Sequence, residues 1–310
     1  MKKILVTGGT GFLGSSLVIT LVKAGYNVRV FDNNFRGALR RLSSVKGKFE
    51  FVRGDIRNAP LVKKAVRGCD SVVHLAYING TEFFYSMPEV VLDVGVKGTI
   101  NVLDACIKEG VGEFLFVSSS EVYQTPGVIP TPEKVALTIP DPFNPRYSYG
   151  GGKILGELLT IHYGKKYFKR AMIVRPHNVY GPDMGGEHVI PQFIVRMQKN
   201  SPLFPIQGTG AETRSFCYID DCTNAFMRVI EAGAHLEIYN IGNDQETTIR
   251  EVAIEVGNYF GKKVHIVPGE LKIGGTLRRC PDISKIRTLG YTPTVTLSQG
   301  IAMTAQWYAK

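Results

Sequence analysis

A glycine-rich turn near the start of the chain is the feature that most restricts its fold. The segment ILVTGGTGFLGSSLVITLVKAG, which begins at Ile4, has glycines at positions 8, 11 and 14, after an apolar run and at the start of a helical pattern. Such a turn lets the backbone approach a diphosphate, and the following helix offers its N-terminal N–H groups and positive dipole. The spacing predicts a strand–turn–helix unit that binds a dinucleotide. A plain tight turn is the alternative interpretation.

Short apolar runs alternate with helical patterns over the first half of the chain. The runs ILV and VVHLA are continuously apolar, which is typical of strands buried on both faces of a sheet. Strand, helix and strand in repetition predict an α/β fold: a Rossmann-type, doubly wound parallel sheet with helices on both faces. The predicted strands are Lys3–Thr7, Asn27–Asp32, Phe49–Arg53, Ser71–Leu75, Glu113–Ser118 and Ala171–Arg175, and the predicted helices are Gly11–Ala24, Leu61–Val66, Val90–Glu109 and Tyr149–Phe168.

The pattern changes after Arg175, where proline and glycine become frequent. We therefore predict a dinucleotide-binding domain over residues 1–175 and a smaller, irregular substrate-binding region over residues 176–310. A stretch near Glu237–Asn240 has the character of another sheet strand. The chain is thus expected to return to the first domain near residues 215–242.

Composition limits the class of ligand and the compartment. The chain has 310 residues and a net charge of +10, but its basic residues form no RNA-recognition motif, so an anionic small molecule is favoured over nucleic acid. No apolar run could span a membrane and none at the N-terminus suits a signal peptide, which predicts a cytoplasmic protein. The five cysteines form no CxxC and the six histidines no metal-binding spacing. We expect reduced thiols and no metal site.

An acidic residue at the end of the second predicted strand indicates the form of the cofactor. Asp32 lies about 20 residues beyond the glycines, where a carboxylate accepts hydrogen bonds from the adenosine ribose and repels a 2′-phosphate. This position favours NAD over NADP. Arg36 could instead pair with a phosphate, or be a solvated loop charge. Asp55 and Ile56 could cover the adenine, although Asp55 could equally be a turn residue.

The stretch RYSYGGGKILGE, residues 146–157, has three glycines in a helical pattern, where each costs roughly 1 kcal/mol relative to alanine. Residues four apart share a helix face, so Lys153 is predicted to face Tyr149 rather than Tyr147. A lysine cation about 5 Å from a phenolate stabilises it by roughly 3 kcal/mol, which would lower the pKa of Tyr149 into a useful range. We expect the glycines to leave room for a cofactor or sugar. A surface tyrosine with an ordinary lysine is the alternative.

A cluster of hydroxyls follows another predicted strand. The segment FLFVSSSEVY, residues 114–123, runs from apolar residues into Ser118, Ser119, Ser120 and Glu121. Ligands bind at the C-terminal edge of a parallel sheet, so a hydroxyl there could orient the substrate oxygen that Tyr149 deprotonates. A turn or N-cap cluster of serines is the alternative.

Ten sequence segments, in order over nearly the whole chain, carry a family resemblance. They are TGGTGFLG, Asp32, GDI, HLA, SSSEVY, YGGGK, RPHNVYGP, RSFCYIDD, YNIGN and RRCPDISK. Together they resemble the extended short-chain dehydrogenase/reductase family, specifically its NAD-dependent nucleotide-sugar epimerases, dehydratases and decarboxylases.

The resemblance implies a role for each matching residue. The implied catalytic residues are Ser119, Tyr149 as the base, Lys153 and Glu121. The implied NAD-binding residues are Gly8, Gly11, Phe12, Leu13 and Gly14 at the diphosphate, Asp32 and Asn33 at the adenosine ribose, Asp55 and Ile56 at the adenine, Leu75 and Ala76 along the nicotinamide path, and Tyr149 and Lys153. The implied substrate-binding residues are Ser120, Asn178, Arg214 and Arg279, the two arginines gripping the diphosphate of a nucleotide-diphosphate sugar.

The resemblance also implies a homodimer. The helical patterns over Val90–Glu109 and Tyr149–Phe168 would pair with their copies in a four-helix bundle, unless both apolar stripes pack on the chain's own sheet. Three positions depart from the family pattern. Gly95 replaces an asparagine at the cofactor site, Gln124 replaces a glycine, and Gly152 replaces a serine.

Such enzymes share oxidation at C4 of the sugar as a first step. Glu121 occupies the place of a working glutamate in dehydratases and decarboxylases, but Ser120 lacks the neighbouring acid of the dTDP-glucose type of dehydratase. We predict an NAD-dependent nucleotide-sugar epimerase. The alternatives are a 4,6-dehydratase or a UDP-glucuronate decarboxylase that uses Glu121 and, ranked lower, a non-catalytic NAD-binding regulator.

Overall fold

A computed structural model describes residues 1–199, 203–270 and 276–309. The other positions, 200–202, 271–275 and 310, belong to the predicted substrate-binding region and lie outside the described residues. No helix within the described ranges is both long and apolar enough to cross a bilayer.

Seven strands form the central sheet, and the predicted strands are confirmed to within one residue at each end. The strands are β1 (Lys3–Thr7), β2 (Asn27–Asp32), β3 (Glu50–Arg53), β4 (Ser71–His74), β5 (Glu113–Val117), β6 (Arg170–Pro176) and β11 (Ile238–Ile241). Their order is β11-β6-β5-β4-β1-β2-β3. The chain runs outward from β1 to β3 and then returns to the other side of β1 at β4. The carboxyl ends of β1 and β4 therefore mark the switch point at which ligands bind in doubly wound sheets.

Helices flank this sheet, and each predicted helix is observed with ends that differ by at most two residues. The helices of this part are α1 (Phe12–Lys23), α2 (Ala59–Val66), α3 (Thr81–Ser86), α4 (Pro88–Leu92), α5 (Gly98–Lys108), α6 (Tyr147–Tyr167) and α8 (Ile219–Ala232), with 3₁₀ turns at Leu39–Val45 and Ser120–Val122. The helix predicted over Val90–Glu109 is confirmed as one helical stretch, in which α4 continues through a π-helical turn at Asp93–Lys97 into α5. A π turn inserts extra backbone into a helix and often occurs at functional sites.

Smaller elements make up most of the rest of the chain. Short strands pair as β10 (Cys217–Tyr218) with β7 (Val179–Tyr180), as β9 (Thr213–Arg214) between β12 (Thr247–Thr248) and β14 (Arg278–Arg279), and as β13 (His265–Val267) with β8 (Leu203–Pro205). The helices are α7 (Val189–Gln198), α9 (Ile249–Tyr259), α10 (Ser284–Arg287) and α11 (Leu297–Tyr308). The side chains of Thr248 and Thr296 cap α9 and α11 in reciprocal capping boxes.

The chain divides into two compact units. The first contains residues 1–124, 136–176 and 223–239, and the second contains residues 125–135, 177–222 and 240–310. One change of unit follows residue 176. Of the stretch 215–242, for which a return to the first domain was predicted, residues 223–239 belong to the first unit and the rest to the second. Residues 125–135 belong to the second unit, which the sequence did not predict.

Candidate active site

The glycine turn after β1 is packed so tightly that no side chain could replace Gly8 or Gly14 without a shift of the backbone. Gly8 has a φ of 71°, and a Cβ added there would lie 2.7 Å from the backbone nitrogen of Ala76. A Cβ at Gly14 would lie 2.1 Å from the carbonyl oxygen of Gly8. Helix α1 begins at Phe12, and no side chain caps its first N–H groups, since the N-cap is Gly11. This bare helix start next to a Cβ-free turn fits a dinucleotide diphosphate.

The polar residues predicted at the adenosine end lie together at the carboxyl ends of β2 and β3. Asp32 is buried; its Oδ2 accepts a hydrogen bond from the Thr10 backbone N–H at 3.0 Å, and its Oδ1 accepts one from the Asn34 N–H at 2.8 Å. Asn33 Nδ2 donates to Asp55 Oδ2 at 3.2 Å. Each carboxylate oxygen has a second lone pair for a ribose hydroxyl. The arrangement fits the predicted NAD site.

Arg36 packs over an aromatic ring. Its guanidinium carbon lies 5.2 Å from the ring centroid of Phe83, and its Nη1 would lie 2.9 Å from a Cβ added at Gly80. Its positive charge also reaches Tyr149, where it is one of the influences that lower the pKa of the phenol. Neither contact tests whether Arg36 pairs with a cofactor phosphate, so that role stays a prediction.

Ser119, Tyr149 and Lys153 lie at the carboxyl end of β5. Ser119 precedes the turn at Ser120–Val122, and its hydroxyl accepts a hydrogen bond from the Glu121 N–H at 3.2 Å. Ser119 also hydrogen-bonds the Tyr149 hydroxyl, which favours the phenolate. Lys153 Nζ donates to the carbonyl oxygen of Val117 at 2.6 Å and lies 5.7 Å from the centroid of the Tyr149 ring. The structure thus brings Ser119 and Lys153, two of the predicted catalytic residues, into contact with a third, Tyr149.

The expectation that Lys153 lowers the pKa of Tyr149 is wrong for the protein alone. Burial raises the pKa of Tyr149 above its ordinary value, and the Ser119 hydrogen bond offsets only part of this effect. Burial also lowers the pKa of Lys153 to about 7. Both side chains are shielded from water, so each charged form loses solvation that a sequence pattern does not reveal. Lys153 Nζ lies nearest the ring of Tyr77, at 4.1 Å from its centroid.

Glu121, the fourth predicted catalytic residue, is half-buried in the turn that follows Ser119. Its negative charge is one of the influences that raise the pKa of Tyr149, after the larger effect of burial. Ser120, predicted to contact substrate, is buried at the start of the same turn. A carboxylate that acts on the same tyrosine could accept a proton or a hydrogen bond from a bound sugar.

The three glycines at the start of α6 do not leave room for a cofactor or sugar; that expectation is wrong. Side chains of the chain itself fill the space beside each of them. A Cβ added at Gly151 would lie 3.1 Å from Ile139 Cδ1, and one at Gly152 would lie 2.1 Å from the Tyr77 hydroxyl oxygen. At Gly150 the nearest atom, at 2.7 Å, is the side-chain nitrogen of Gln124.

The structure shows what Gln124 does at the position where the family has glycine. Its φ is 50°, a left-handed conformation that costs a side-chain-bearing residue roughly 1–2 kcal/mol. The buried side chain offsets part of this cost, because its Nε2 donates to the carbonyl oxygen of Glu121 at 2.5 Å. Gln124 thereby closes the turn that carries Ser119 and Glu121, and Gly150 admits its amide. The substitution of the family glycine was the sequence signal for this role.

A buried ion pair between Glu157 and Arg175 contacts the residues on either side of the Ser120–Val122 turn. Arg175 donates from Nε to Glu157 Oε1 at 2.8 Å and from Nη2 to Oε2 at 2.5 Å, and both side chains are at most 3% exposed. Ser118 donates to the same carboxylate at 2.5 Å, and Arg175 Nη1 donates to the Tyr123 hydroxyl at 2.7 Å. Helix α6 and strands β5 and β6 are thereby fixed to the segment that carries the serines.

The predicted substrate residues of the second unit include two adjacent arginines. Strands β9 and β14 run parallel, and their register pairs Arg214 with Arg279. Arg279 Nη2 donates to Thr276 Oγ1 at 2.9 Å. Asn178 has a φ of 39°, and its Nδ2 donates to the carbonyl oxygen of Ser215 at 3.3 Å. Like charges at neighbouring strand positions repel, so a bridging anion would stabilise this pair.

Sequence reasoning missed two aromatic residues at the site. Phe84 stacks on Tyr149 with ring centroids 5.0 Å apart, and Tyr77 meets the same ring edge-on at 5.1 Å. The only signal for Tyr77 was its place directly after Leu75 and Ala76. No sequence signal indicated Phe84.

Comparisons with known proteins agree with this geometry. A family model described as the NAD dependent epimerase/dehydratase family matches residues 4–242. The putative UDP-glucose 4-epimerase of Methanocaldococcus jannaschii is 34% identical over 310 residues, covering 98% of this chain and 97% of the relative. UDP-glucuronic acid decarboxylase 5 of Arabidopsis thaliana is 33% identical over 307 residues, covering 97% of this chain and 87% of the relative. The crystal structure of DesIV, a dTDP-glucose 4,6-dehydratase of Streptomyces venezuelae with NAD bound, is 32% identical, has a TM-score of 0.89 and covers 99% of this chain and 97% of that one.

Proposed function

The chain belongs to the NAD-dependent epimerase/dehydratase family of enzymes, and from this premise we propose that it is a nucleotide-sugar epimerase. It would invert C4 of the sugar through a transient 4-keto sugar. The observation that supports the proposal is the group of Ser119, Tyr149 and Lys153, in which Ser119 hydrogen-bonds the phenol and Lys153 Nζ lies 5.7 Å from the ring centroid of Tyr149. The resemblance places the acid of the dTDP-glucose type of dehydratase at Ser120, and its absence favours the epimerase.

Tyr149 is proposed to take the proton of the C4 hydroxyl and later to return it. The Ser119 hydroxyl, which hydrogen-bonds the phenol, would also orient the sugar oxygen. Burial keeps Tyr149 protonated in the protein alone, so the phenolate needs positive charge nearby. Lys153 can supply that charge, since its pKa of about 7 leaves it partly protonated at neutral pH. NAD, when bound, supplies the hydride acceptor and returns the hydride to the keto sugar.

Arg214 and Arg279 are proposed to bind the diphosphate of the substrate. Their adjacent positions on β9 and β14 support this role, because two guanidinium groups can pair with several phosphate oxygens at once. Asn178 is proposed to contact the substrate as well. The nucleotide-sugar ligands named for related proteins are consistent with an anion at these arginines.

A second candidate function follows from Glu121. Its carboxylate is close enough to Tyr149 to raise the pKa of the phenol. In a 4,6-dehydratase, a carboxylate at such a place removes the C5 proton of a 4-keto sugar before water leaves from C6. In a decarboxylase, the 4-ketone lets the C6 carboxylate leave as carbon dioxide. Both reactions are represented among the relatives, by a UDP-glucuronic acid decarboxylase and a dTDP-glucose 4,6-dehydratase.

Turnover of a panel of nucleotide sugars in deuterium oxide separates the three reactions. We expect a product of unchanged mass with inverted C4 and no deuterium at C5. Deuterium at C5 together with loss of water would indicate the dehydratase, and loss of carbon dioxide would indicate the decarboxylase. A Glu121→Gln variant is the matched control, because it should retain most epimerase activity but abolish the dehydratase. Absence of turnover on every member of the panel would contradict the proposal.

We also expect a homodimer formed through α4, α5 and α6. Three leucines on these helices, Leu92, Leu155 and Leu158, are 39%, 45% and 47% exposed, which leaves an apolar face for a second copy of the chain. Replacing Leu155 and Leu158 by arginine should convert the dimer to a monomer in light scattering coupled to gel filtration. Ile254→Arg on α9 is the control, since Ile254 is 46% exposed on a helix outside the predicted interface. A wild-type monomer would refute the expectation.

A further inference from the structure

The Tyr77 side chain occupies the space beside Gly95 and Gly152, where the family pattern has an asparagine and a serine. A Cβ added at Gly95 would lie 1.9 Å from the Tyr77 hydroxyl oxygen and 2.0 Å from Cζ, and one added at Gly152 would lie 2.1 Å from the hydroxyl. Gly95 and Gly152 are the two positions where this chain lacks the asparagine and the serine of the family pattern. Non-bonded atoms cannot approach so closely, so this position of Tyr77 excludes both of those side chains.

The Tyr77 ring contacts both groups on which the proposed chemistry depends. Lys153 Nζ lies 4.1 Å from the ring centroid, which is closer than its 5.7 Å to the ring of Tyr149. The ring of Tyr149 meets the Tyr77 ring at 84°. A desolvated ammonium is attracted to an aromatic face, and an edge-to-face contact fixes the relative orientation of two rings. One side chain therefore restrains the ammonium and the phenol together.

The hydroxyl of Tyr77 contributes less than its ring. Its oxygen is buried and has no hydrogen-bond partner among the described residues. A buried tyrosine hydroxyl usually has a partner, and leaving it without one costs free energy. The useful part of the Tyr77 side chain is thus the aromatic face toward Lys153 and the edge toward Tyr149.

We propose that Tyr77 is a positioning residue that holds Lys153 Nζ and the Tyr149 ring in place for NAD binding and proton transfer. Gly95 and Gly152 are required because they admit its ring, so the three positions form one interdependent set. The π-helical turn at Asp93–Lys97, which contains Gly95, lies against this ring. The inference rests on the assignment of Tyr149 and Lys153 within the proposed function, and it holds for an epimerase, a dehydratase or a decarboxylase.

Two substitutions of Tyr77 separate the ring from the hydroxyl. Tyr77→Leu keeps apolar volume but removes the aromatic face, and it should raise the NAD dissociation constant by about tenfold. For any nucleotide sugar that is turned over, kcat should fall by about tenfold with KM within about threefold. Tyr77→Phe should stay within about twofold of wild type in each quantity, with an equal or higher thermal midpoint. A Phe variant as impaired as the Leu variant, or a Leu variant with native NAD affinity, would overturn the proposal.

The interdependence is tested by thermal unfolding, without any substrate. Gly95→Asn and Gly152→Ser should each lower the thermal midpoint by about 5 °C in the wild-type background, because each side chain overlaps Tyr77. In a Tyr77→Ala background the same changes should be neutral or stabilising. Equal effects in both backgrounds would overturn the proposal, and this result can be read even if no nucleotide sugar is turned over.

Discussion

Replacing Tyr149 by phenylalanine is expected to lower kcat by roughly 10³-fold while KM stays within a few-fold of wild type. The substitution removes only the hydroxyl that would exchange a proton with the sugar. The ring remains stacked on Phe84 at a centroid distance of 5.0 Å and in edge-on contact with Tyr77, so the fold of the site should persist. The measurement is steady-state kinetics with the most active sugar of the panel, together with a thermal melt of each variant.

Tyr147→Phe is the matched control for this substitution. Tyr147 and Tyr149 are both buried in the first turn of α6, at 8% and 6% exposure, so the two changes disturb the helix similarly. The Tyr147 variant should keep its kcat to within about threefold. Native turnover by the Tyr149 variant, or loss of turnover only in the Tyr147 variant, would show that the wrong tyrosine has been assigned.

Breaking the ion pair of Glu157 and Arg175 is expected to cause the largest loss of stability. Glu157→Leu removes one partner and leaves a buried guanidinium without its counter-charge, which costs about 3–5 kcal/mol. It also removes the acceptor of the Ser118 hydroxyl. The free energy of unfolding in urea is the measurement, and the Ser118–Glu121 segment should lose order in the same variant.

Two further variants test whether the loss of stability comes from the unpaired buried charge. The double variant Glu157→Leu with Arg175→Met removes both charges and should be more stable than Glu157→Leu alone. Lys97→Met removes an ion pair with Asp93 in which the two side chains are 63% and 42% exposed, and it should cost at most about 0.5 kcal/mol. If Glu157→Leu cost no more than Lys97→Met, the buried network would not support the active-site turn.

The strands of the sheet could be predicted closely because they are buried on both faces. The short apolar runs Ile4–Val6 and Val72–Val73 lie at the centres of β1 and β4, and polar or turn residues on either side indicate where the strands end. The helix over Val90–Glu109 was predicted as one element, because a π-helical turn keeps a helical pattern of apolar residues. What the sequence does not show is the Tyr77 ring beside Gly95 that accompanies this turn.

The contact between Tyr149 and Lys153 could be predicted from the sequence, but the electrostatics around Tyr149 could not. The spacing of Tyr149 and Lys153 places them on one helix face, and the structure agrees. The predicted sign of the pKa change of Tyr149 was wrong, because burial raises this pKa and burial is a property of the tertiary structure. Tyr77 and Phe84, whose rings pack against Tyr149, are distant from it along the chain. The glycines were misinterpreted for the same reason. A glycine indicates that something lies close to the backbone, but only tertiary structure shows what it is.

Sequence patterns also could not predict that Arg214 and Arg279 are paired on neighbouring strands. Strands β9 and β14 have two residues each, so they show no alternation from which a register could be predicted. Only the resemblance to a family indicated that both arginines act on one diphosphate.

The most direct test of the proposed function follows the hydrogen at C4 of the sugar. A nucleotide sugar from the panel would be prepared with deuterium at C4 and converted by the wild-type enzyme, and the product would be analysed by NMR and mass spectrometry. We predict a product inverted at C4 that still carries the deuterium there. A product that has lost the label, or one lighter by a water or a carbon dioxide, would contradict the assignment as an epimerase.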